Sequence, residues 1–487
     1  MAPPVVIVGA GPTGVLAAIL LARRGVRCVV LERHTDVYAL PRAVHLDDEV
    51  YRILQAAGVA DVFAAVTRPA LGLRLVDTRG RVLAEFARSA GVGPHGYPQA
   101  NMFDQPDLEA MLRAEAARLP GVELRGGAEV VWVTGGDRPR VSYTDLATGT
   151  RTELAAVAVL GCDGASSPTR RAIGSPWRDL GFRERWLVVD ARCRPPLDAW
   201  DGVHQVCDPS GAATFMRIGA DRYRWEFRSP SAPLRELLRP WTGDREVEVL
   251  REAPYTFEAG VAGSWRCGRV FLLGDAAHLT PPFVGQGLGA GLRDAANLAW
   301  KLARVLRGEA PEALLDTYQP EREAHVRAMI RLAMTAGWAM TGGQGRGAAV
   351  RRLALRGLCR LPGVATRVLD TGSPPLPRGP LVVGRGLAGT LVPQPRVRGQ
   401  RLDDVLSGGF AVLTRVAPDP ALVSLAVRLD APVLDVREAE DDGVLRRWLG
   451  RATAVVLRPD RTVLVASRSP APGAGLAAGA WVRLVAS

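Results

Sequence analysis

Lysine is nearly missing from this chain. Lys301 is the only one in 487 residues, although lysine and arginine together number 62 and leave a formal charge of +12. The positive charge is therefore arginine, and it is scattered. Pairs such as Arg23-Arg24, Arg170-Arg171 and Arg351-Arg352 occur, but no run of four or more. A dispersed excess lacks the concentrated patch that nucleic acid demands, so small anions are the expected charged partners and polynucleotides are not. Cysteine is sparse as well. Cys28, Cys162, Cys193, Cys207, Cys267 and Cys359 show no C-x-x-C spacing and suit a reducing cytoplasm, where isolated thiols are usually packing residues; no metal site is expected. A long apolar run is also lacking. Val5 to Ala22 comes nearest, but Gly9, Gly11, Pro12 and Gly14 interrupt it and its first positive charges, Arg23 and Arg24, follow it. It fits neither a signal peptide nor a membrane span, so a cytoplasmic protein without membrane contact is expected. What remains is ordinary: 47% hydrophobic and 23% charged residues describe a globular chain, about three times a typical domain in length.

The interrupted stretch is informative in its own right. Val5-Val6-Ile7-Val8 reads as a strand buried on both faces of a parallel sheet. Gly9-Ala10-Gly11-Pro12-Thr13-Gly14 follows, then a helical segment to Arg24 closed by Gly25, then a second strand over Arg27 to Leu31 that ends in Glu32. In such a unit Gly9 permits the tight turn, and Gly11 lets backbone amides approach a pyrophosphate at the positive end of the helix. Gly14 lets helix and strand pack closely, and Glu32 accepts hydrogen bonds from an adenosine ribose. The same glycine spacing recurs at Gly91 to Gly96 and at Gly384 to Gly389, but no helix opens after either, so only the first copy predicts dinucleotide binding. FAD and NAD share this fingerprint, and it does not choose between them.

Two later motifs choose. Ala156 to Leu160 reads as a strand followed by Gly161-Cys162-Asp163-Gly164-Ala165-Ser166-Ser167. Val270 to Leu273 reads as another, followed by Gly274-Asp275-Ala276-Ala277-His278, Pro281-Pro282-Phe283-Val284-Gly285-Gln286-Gly287 and a helix from Leu288 to Arg307. With Pro41 to Glu49, Asn101 to Glu109 and Gly291 to Leu302, this order of motifs resembles the group A FAD-dependent aromatic monooxygenases, of the para-hydroxybenzoate hydroxylase fold. Within that group it is most similar to the 3-(3-hydroxyphenyl)propionate hydroxylase branch. The likeness is strong over residues 5 to 340 and faint beyond.

The resemblance implies an α/β fold: a Rossmann-like FAD domain, an inserted, mostly antiparallel β-sheet substrate domain and a C-terminal thioredoxin-like domain. The expected FAD-binding segments are 1–72, 101–174 and 265–372, the last with a helical segment. The expected substrate segments are 73–100 and 175–264, and the C-terminal unit is 380–487. The implied cofactors are FAD, NADPH or NADH as co-substrate, and O2. The implied reaction is hydroxylation of a phenolic or other small aromatic substrate through a flavin C4a-hydroperoxide. By matching motif, the cofactor residues would be Gly9, Gly11, Pro12, Thr13, Gly14, Glu32, Arg33, Arg42, Gln105, Asp163, Gly164, Asp275, Pro282, Gly285, Gln286, Gly287, Leu288 and Gly289. Relatives often carry asparagine where this chain has Gly289, so backbone amides would have to serve there.

Reduced flavin carries negative charge, and the helix opening at Gly287 to Gly289 would stabilise it through free amides. The proline-rich stretch Leu279 to Val284 suits a dry, rigid wall, with Pro282 beside the reacting centre; a plain stiff turn is the alternative. Phenol activation calls for a base, and His45 is the candidate, although it could equally lead into a helix whose acidic first turn is Asp47-Asp48-Glu49. His278 reads as structural. The strand Arg222 to Phe227 alternates polar and aromatic residues, so Arg224 and Trp225 are candidate substrate contacts, unless the aromatic face packs on the sheet's own core; Phe283, in the proline-rich wall, is a third candidate. Leu73 to Phe86 reads as a hairpin turning at Thr78-Arg79-Gly80. Gly342 to Gly347 reads as a flexible break and Ser373 to Pro377 as a linker. Phe410 to Leu413, Val423 to Val427, Ala454 to Leu457 and Val463 to Ala466 read as strands. No cysteine follows Cys359, so packing or dimer contacts, not redox chemistry, are expected of the tail, in a monomer or homodimer. The rival readings are an epoxidase or Baeyer-Villiger oxygenase on a polyketide-type substrate, and a basic binding protein with a vestigial nucleotide fold.

Overall fold

In a computed structural model, residues 2–37, 43–208, 211–341 and 373–485 are described. A six-stranded sheet forms the centre, in the order Arg266–Cys267, Val270–Leu272, Ala158–Gly161, Val5–Val8, Cys28–Leu31 and Val122–Arg125, parallel except for its first strand. Val5–Val8 is buried at every residue because both faces are covered. Val5, Ile7 and Val30 pack under the helices Pro12–Ala22, Gln105–Arg118 and Gly287–Leu306. Val6, Val8, Val29 and Leu31 pack against a three-stranded antiparallel sheet of Ala128–Val133, Arg140–Asp145 and Arg151–Ala155. This two-sided burial is why the strand is an unbroken apolar run instead of an alternating one.

A second sheet of eight strands runs His278–Leu279, Glu248–Ala262, Trp177–Arg192, Arg222–Arg228, Ala213–Arg217, Val203–Val206, Gly72–Val76, Val82–Ala87. It is antiparallel apart from the pairing of Val203–Val206 with Gly72–Val76. The expected hairpin is its edge, with Asp77 accepting from the amides of Arg79 and Arg81 in the turn. The helix Asp48–Ala56 is capped by Asp47, whose side chain accepts from Val50 N at 2.9 Å.

The tail holds a four-stranded sheet in the order Val433–Asp435, Ala411–Thr414, Ala454–Leu457, Val463–Ser467, whose first pair is parallel and the others antiparallel. One expectation is corrected here. Val423 to Val427 belongs to a helix, Pro420–Arg428. Asp419 caps it by accepting from Leu422 N, Pro420 occupies its first turn, and Leu422, Leu425 and Ala426 fall on its buried side. Three- and four-residue spacing with a cap outweighs the valines at either end of the run. The glycine-rich break at Gly342 to Gly347 lies outside the described residues.

The tail is anchored through charge. Arg458, fully buried, donates to both carboxylate oxygens of Glu321 at 2.9 Å, and Lys301 Nζ donates to Glu321 Oε2 at 2.7 Å and to Asn297 Oδ1 at 2.8 Å. Arg52 forms a two-bond fork with Asp403 at 2.6 Å for each bond. The single lysine is thus part of a buried junction and carries no surface charge.

Candidate active site

One cavity of about 1540 Å³ runs from the glycine turn to the eight-stranded sheet. Its first end is built by backbone. Gly9 has φ +100°, and a Cβ there would stand 2.5 Å from the Cys162 carbonyl oxygen of the adjoining strand; a Cβ on Gly14 would stand 2.0 Å from the Gly9 oxygen. A Cβ on Gly11, in contrast, meets nothing within 4 Å. The helix Pro12–Ala22 starts with Gly11 as its cap residue, has Pro12 in its first turn and receives no side-chain cap. Its opening amides are therefore left for a ligand, as an anion site at a helix N-terminus requires. Glu32 ties the unit together, accepting from Ala10 N at 2.7 Å and His34 N at 3.1 Å, and its carboxylate borders the cavity.

The middle of the cavity has a second uncapped helix. Gly287–Leu306 begins after Gln286 without a side-chain cap, and a Cβ on Gly287 meets nothing within 4 Å. Gly285 sits before it in the left-handed region at φ +61°, ending the turn Pro282–Val284. A network behind the helix holds this geometry. Arg293 donates to Asp47 at 2.6 Å, to Glu49 at 2.7 Å and to Gln286 Oε1 at 3.1 Å, while Gln286 Nε2 donates to Asp47 at 3.0 Å. Burial opposes ionisation of Asp47, but Arg293 and the Val50 amide outweigh it and hold the carboxyl at about 2. His278 pairs with the fully buried Asp294 at 2.7 Å, which also accepts from Arg322 and Gly274 N, so this histidine braces the Asp275 turn.

His45 borders the cavity beside Gly285. Burial pushes its imidazole down to about 4, with Arg88 adding to the shift and Asp47 opposing it. It is therefore neutral near pH 7 and accepts protons weakly. Asp163 is held rather than free: it accepts from Ser167 Oγ at 2.5 Å and Thr169 N at 2.8 Å, ordering the turn before the short helix Pro168–Ala172. Gln105 accepts from Ala43 N and donates to Glu109, both at 2.7 Å.

The structure brings Gly9, Gly11, Pro12, Thr13, Glu32, Arg33, His45, Gln105, Asp163, Gly164, Asp275, Pro282, Phe283, Gly285, Gly287, Leu288 and Arg224 to this one cavity. Gly14 lies behind the turn, where it allows close packing. Gln286 and Gly289 back the helix N-terminus instead of lining the cavity; a Cβ on Gly289 would stand 2.8 Å from Arg293 Nη1, so a side chain there would press on the arginine. Arg42 lies outside the described residues. Trp225 is a correction. It is fully buried on the other face of its strand, among Phe215, Tyr223 and Phe227, because strand alternation sends Arg224 and Glu226 to the cavity and the aromatics to the sheet's own core.

Several lining residues had no motif to announce them. Arg113 borders the cavity and reaches the Ala10 oxygen at 3.4 Å. Glu226 shares the two-residue period of Arg224, which is the signal that could have found it; burial raises its carboxyl above the usual range, with Arg224 opposing. Tyr255 and Phe257 come from a long strand, and Leu332, Thr335, Ala336, Ala339 and Met340 come from the helix Tyr318–Thr341.

Two uncapped helix ends and a glycine cradle opening on one cavity define a dinucleotide-binding protein with room for a second ligand beside the nucleotide. The comparisons carry this to a family. A family model described as FAD binding domain matches residues 3–333. A 3-(3-hydroxy-phenyl)propionate/3-hydroxycinnamic acid hydroxylase of Mycobacterium sp. (strain KMS) is 39% identical over 435 residues, covering 84% of this chain and 74% of that one. A probable NADH-specific resorcinol 4-hydroxylase of Rhodococcus jostii (strain RHA1) is 35% identical over 507 residues, covering 97% and 93%. Among solved structures, aklavinone-11 hydroxylase with FAD and aklavinone superposes with a TM-score of 0.82 at 23% identity, over 99% of both chains. The OxyS anhydrotetracycline hydroxylase from Streptomyces rimosus gives 0.81 at 26% identity, over 100% of this chain and 99% of that one. The chain belongs to the FAD-binding family of aromatic hydroxylases and is an FAD-dependent monooxygenase. Among the described residues no helix is long and apolar enough to cross a membrane.

Proposed function

We propose that the protein uses NADH or NADPH and O2 to hydroxylate a phenolic compound. The observation that carries this reading is the single cavity joining the glycine cradle, the Gly287 helix end and an apolar chamber under the eight-stranded sheet. Bound FAD would supply two-electron reduction by the nicotinamide donor and activation of O2 for transfer of one oxygen atom to the ring. The chain's own residues do the rest. The amides opening Pro12–Ala22 would hold the diphosphate, with Glu32 on the ribose, while Arg33, Gln105, Asp163 and Asp275 border the remainder of the cofactor. Amides of Gly287 and Leu288 would stabilise negative charge on the ring system. Pro282, Phe283, Trp186 and Phe257 would keep water from the reacting carbon. Phe283 is locked edge-on against Phe182 and Trp186, with centroids 5.8 and 6.0 Å apart.

His45 would position the substrate hydroxyl and accept its hydrogen bond; a base held at about 4 is too weak to ionise a phenol outright. His45→Gln is therefore expected to keep its FAD and lose about tenfold in kcat/KM, the scale of one hydrogen bond. Because the imidazole is already neutral, the wild-type pH profile should contain no histidine step between about pH 5.5 and 8. A step there that disappears in the variant would refute this role. The reading as a whole is tested by stopped-flow reduction. A true substrate should accelerate flavin reduction by NADH or NADPH and yield a product one oxygen heavier, and nicotinamide oxidation without oxygenated product across a panel of phenols would count against it.

The layout is part of the proposal: a Rossmann-like FAD unit from 1–72, 101–174 and 265–372, a substrate unit from 73–100 and 175–264, and a thioredoxin-like tail over 380–487 that packs but carries no dithiol.

A further inference from the structure

Three adjacent strands of the eight-stranded sheet set Gln205, Thr214 and Glu226 side by side, since Gln205 is paired with Thr214 and Thr214 with Glu226. The neighbouring row sets Met216, Arg224 and Asp190 side by side in the same way. Gln205, Thr214, Met216, Arg224 and Glu226 all border the cavity. These are deeply seated groups: Arg224 is 1% exposed and Glu226 9%.

The donors of this wall are engaged inside it. Gln205 Nε2 donates to the oxygens of Val206 and Ala213 at 3.2 and 3.1 Å, and Thr214 Oγ1 donates to Gln205 Oε1 at 3.0 Å. Arg224 gives Nε and Nη2 to Asp190 at 2.7 and 2.9 Å, and its Nη1 stands 4.0 Å from Glu226 Oε1. One guanidinium therefore faces two carboxyl groups and is forked to Asp190, with Glu226 at longer range. What it offers a ligand is acceptors: the Glu226 carboxylate and the remaining lone pairs of Thr214. Arg88 also borders the cavity, but it follows the strand Val82–Ala87, four strands across the sheet from Glu226. It donates to Gln99 O and acts on His45.

We propose that Glu226 determines specificity, selecting an uncharged aromatic substrate that bears a second hydroxyl and rejecting arylalkanoic acids. The second hydroxyl donates to Glu226, while the hydroxyl that activates the ring stays at the flavin end near His45. A substrate carboxylate at this wall would stand against the acceptor oxygens of Glu226 and Thr214, where Arg224 is already forked to Asp190. This rests on the reading of the cavity as a phenol hydroxylase site.

The test uses the FAD-loaded full chain. Resorcinol and 3-(3-hydroxyphenyl)propionate are titrated against the oxidised protein, with Kd read from the change in flavin absorbance, and kcat/KM is then measured with NADH. Resorcinol should be preferred by at least about tenfold in Kd, the scale of one hydrogen bond to a charged group. Glu226→Gln keeps the size and replaces one acceptor oxygen of the carboxyl with an amide nitrogen. It should narrow that preference at least tenfold, with the change in KM and little in kcat. Thr214→Val should weaken resorcinol alone, by about threefold. Preference of the wild type for the propionate, binding of neither compound, or an equal shift of both in Glu226→Gln overturns the proposal. If both bind with the expected preference and no phenol is oxygenated, the hydroxylase reading fails while the Kd values still support the role of Glu226.

Discussion

Gly14→Val is expected to yield protein without flavin. A side chain at this position would begin 2.0 Å from the Gly9 oxygen and 3.2 Å from the Cys162 Cβ, so the helix must back away from the strand it rests on. Overpacking at a rigid contact costs about 1–3 kcal/mol, and the displaced helix end loses its aim at the diphosphate. At least a hundredfold weaker FAD binding, roughly 2.7 kcal/mol, is the expected result, measured as flavin absorbance per protein and as Kd for added FAD. Gly11→Ala supplies the contrast. Its Cβ clashes with nothing in the protein and its φ of −67° suits any residue, so it should fold with unchanged Tm and lose affinity only because the new methyl meets the cofactor. Equal Tm losses in the two variants would mean that the turn is structural and not a cradle.

Glu321→Ala should be the most destabilising single change at the tail junction. It leaves the fully buried Lys301 with Asn297 alone, while Arg458 keeps Asp460 at 2.6 Å, and an uncompensated buried charge costs about 3–5 kcal/mol. Thermal and urea unfolding of the FAD-loaded protein measure it; a loss below about 1 kcal/mol would show that water reaches the cluster. The pH dependence has a definite sign. Burial alone would raise the Glu321 carboxyl, but Arg458 and then Lys301 overcome this and hold it at about 2. A carboxyl depressed on folding contributes stability above its unfolded value of about 4.3 and loses it as pH falls toward 2. Lys301, which burial lowers to about 8 despite Glu321, works the other way: its charged form is disfavoured on folding, and that penalty lifts as pH rises above 8. The wild type should therefore lose stability steeply below about pH 4, and Glu321→Ala should lose less of it there.

The cofactor end was readable because its chemistry is local. A turn that needs positive φ at Gly9, no side chain at Gly14 and an acid at the next strand's end writes its requirements within 24 residues, Gly9 to Glu32. The helix behind Gly287 was readable as a helix, but not its support. Arg293 and Asp47 are 246 positions apart and Glu321 and Arg458 are 137, and periodicity carries no information about which buried charges will meet. Trp225 shows a subtler limit: alternation separated two faces correctly without revealing which of them met the cavity. At Val423 to Val427 the information was present, in the Asp419-Pro420 cap, and the mostly apolar composition of the run obscured it. The long helix lining the chamber has no motif at all, since its residues are chosen for shape.

That helix, Tyr318–Thr341, is 24 residues long and so about 36 Å from end to end. Glu321 clamps its first turn to the tail, while Leu332 through Met340, near its other end, form a wall against which a substrate must lie. Fixing the first turn of one continuous rod fixes where its far end meets the chamber, so the Glu321 junction bears on the position of that wall. Surveys for altered substrate range should therefore include positions such as Arg458 and Asp460 as well as the chamber itself.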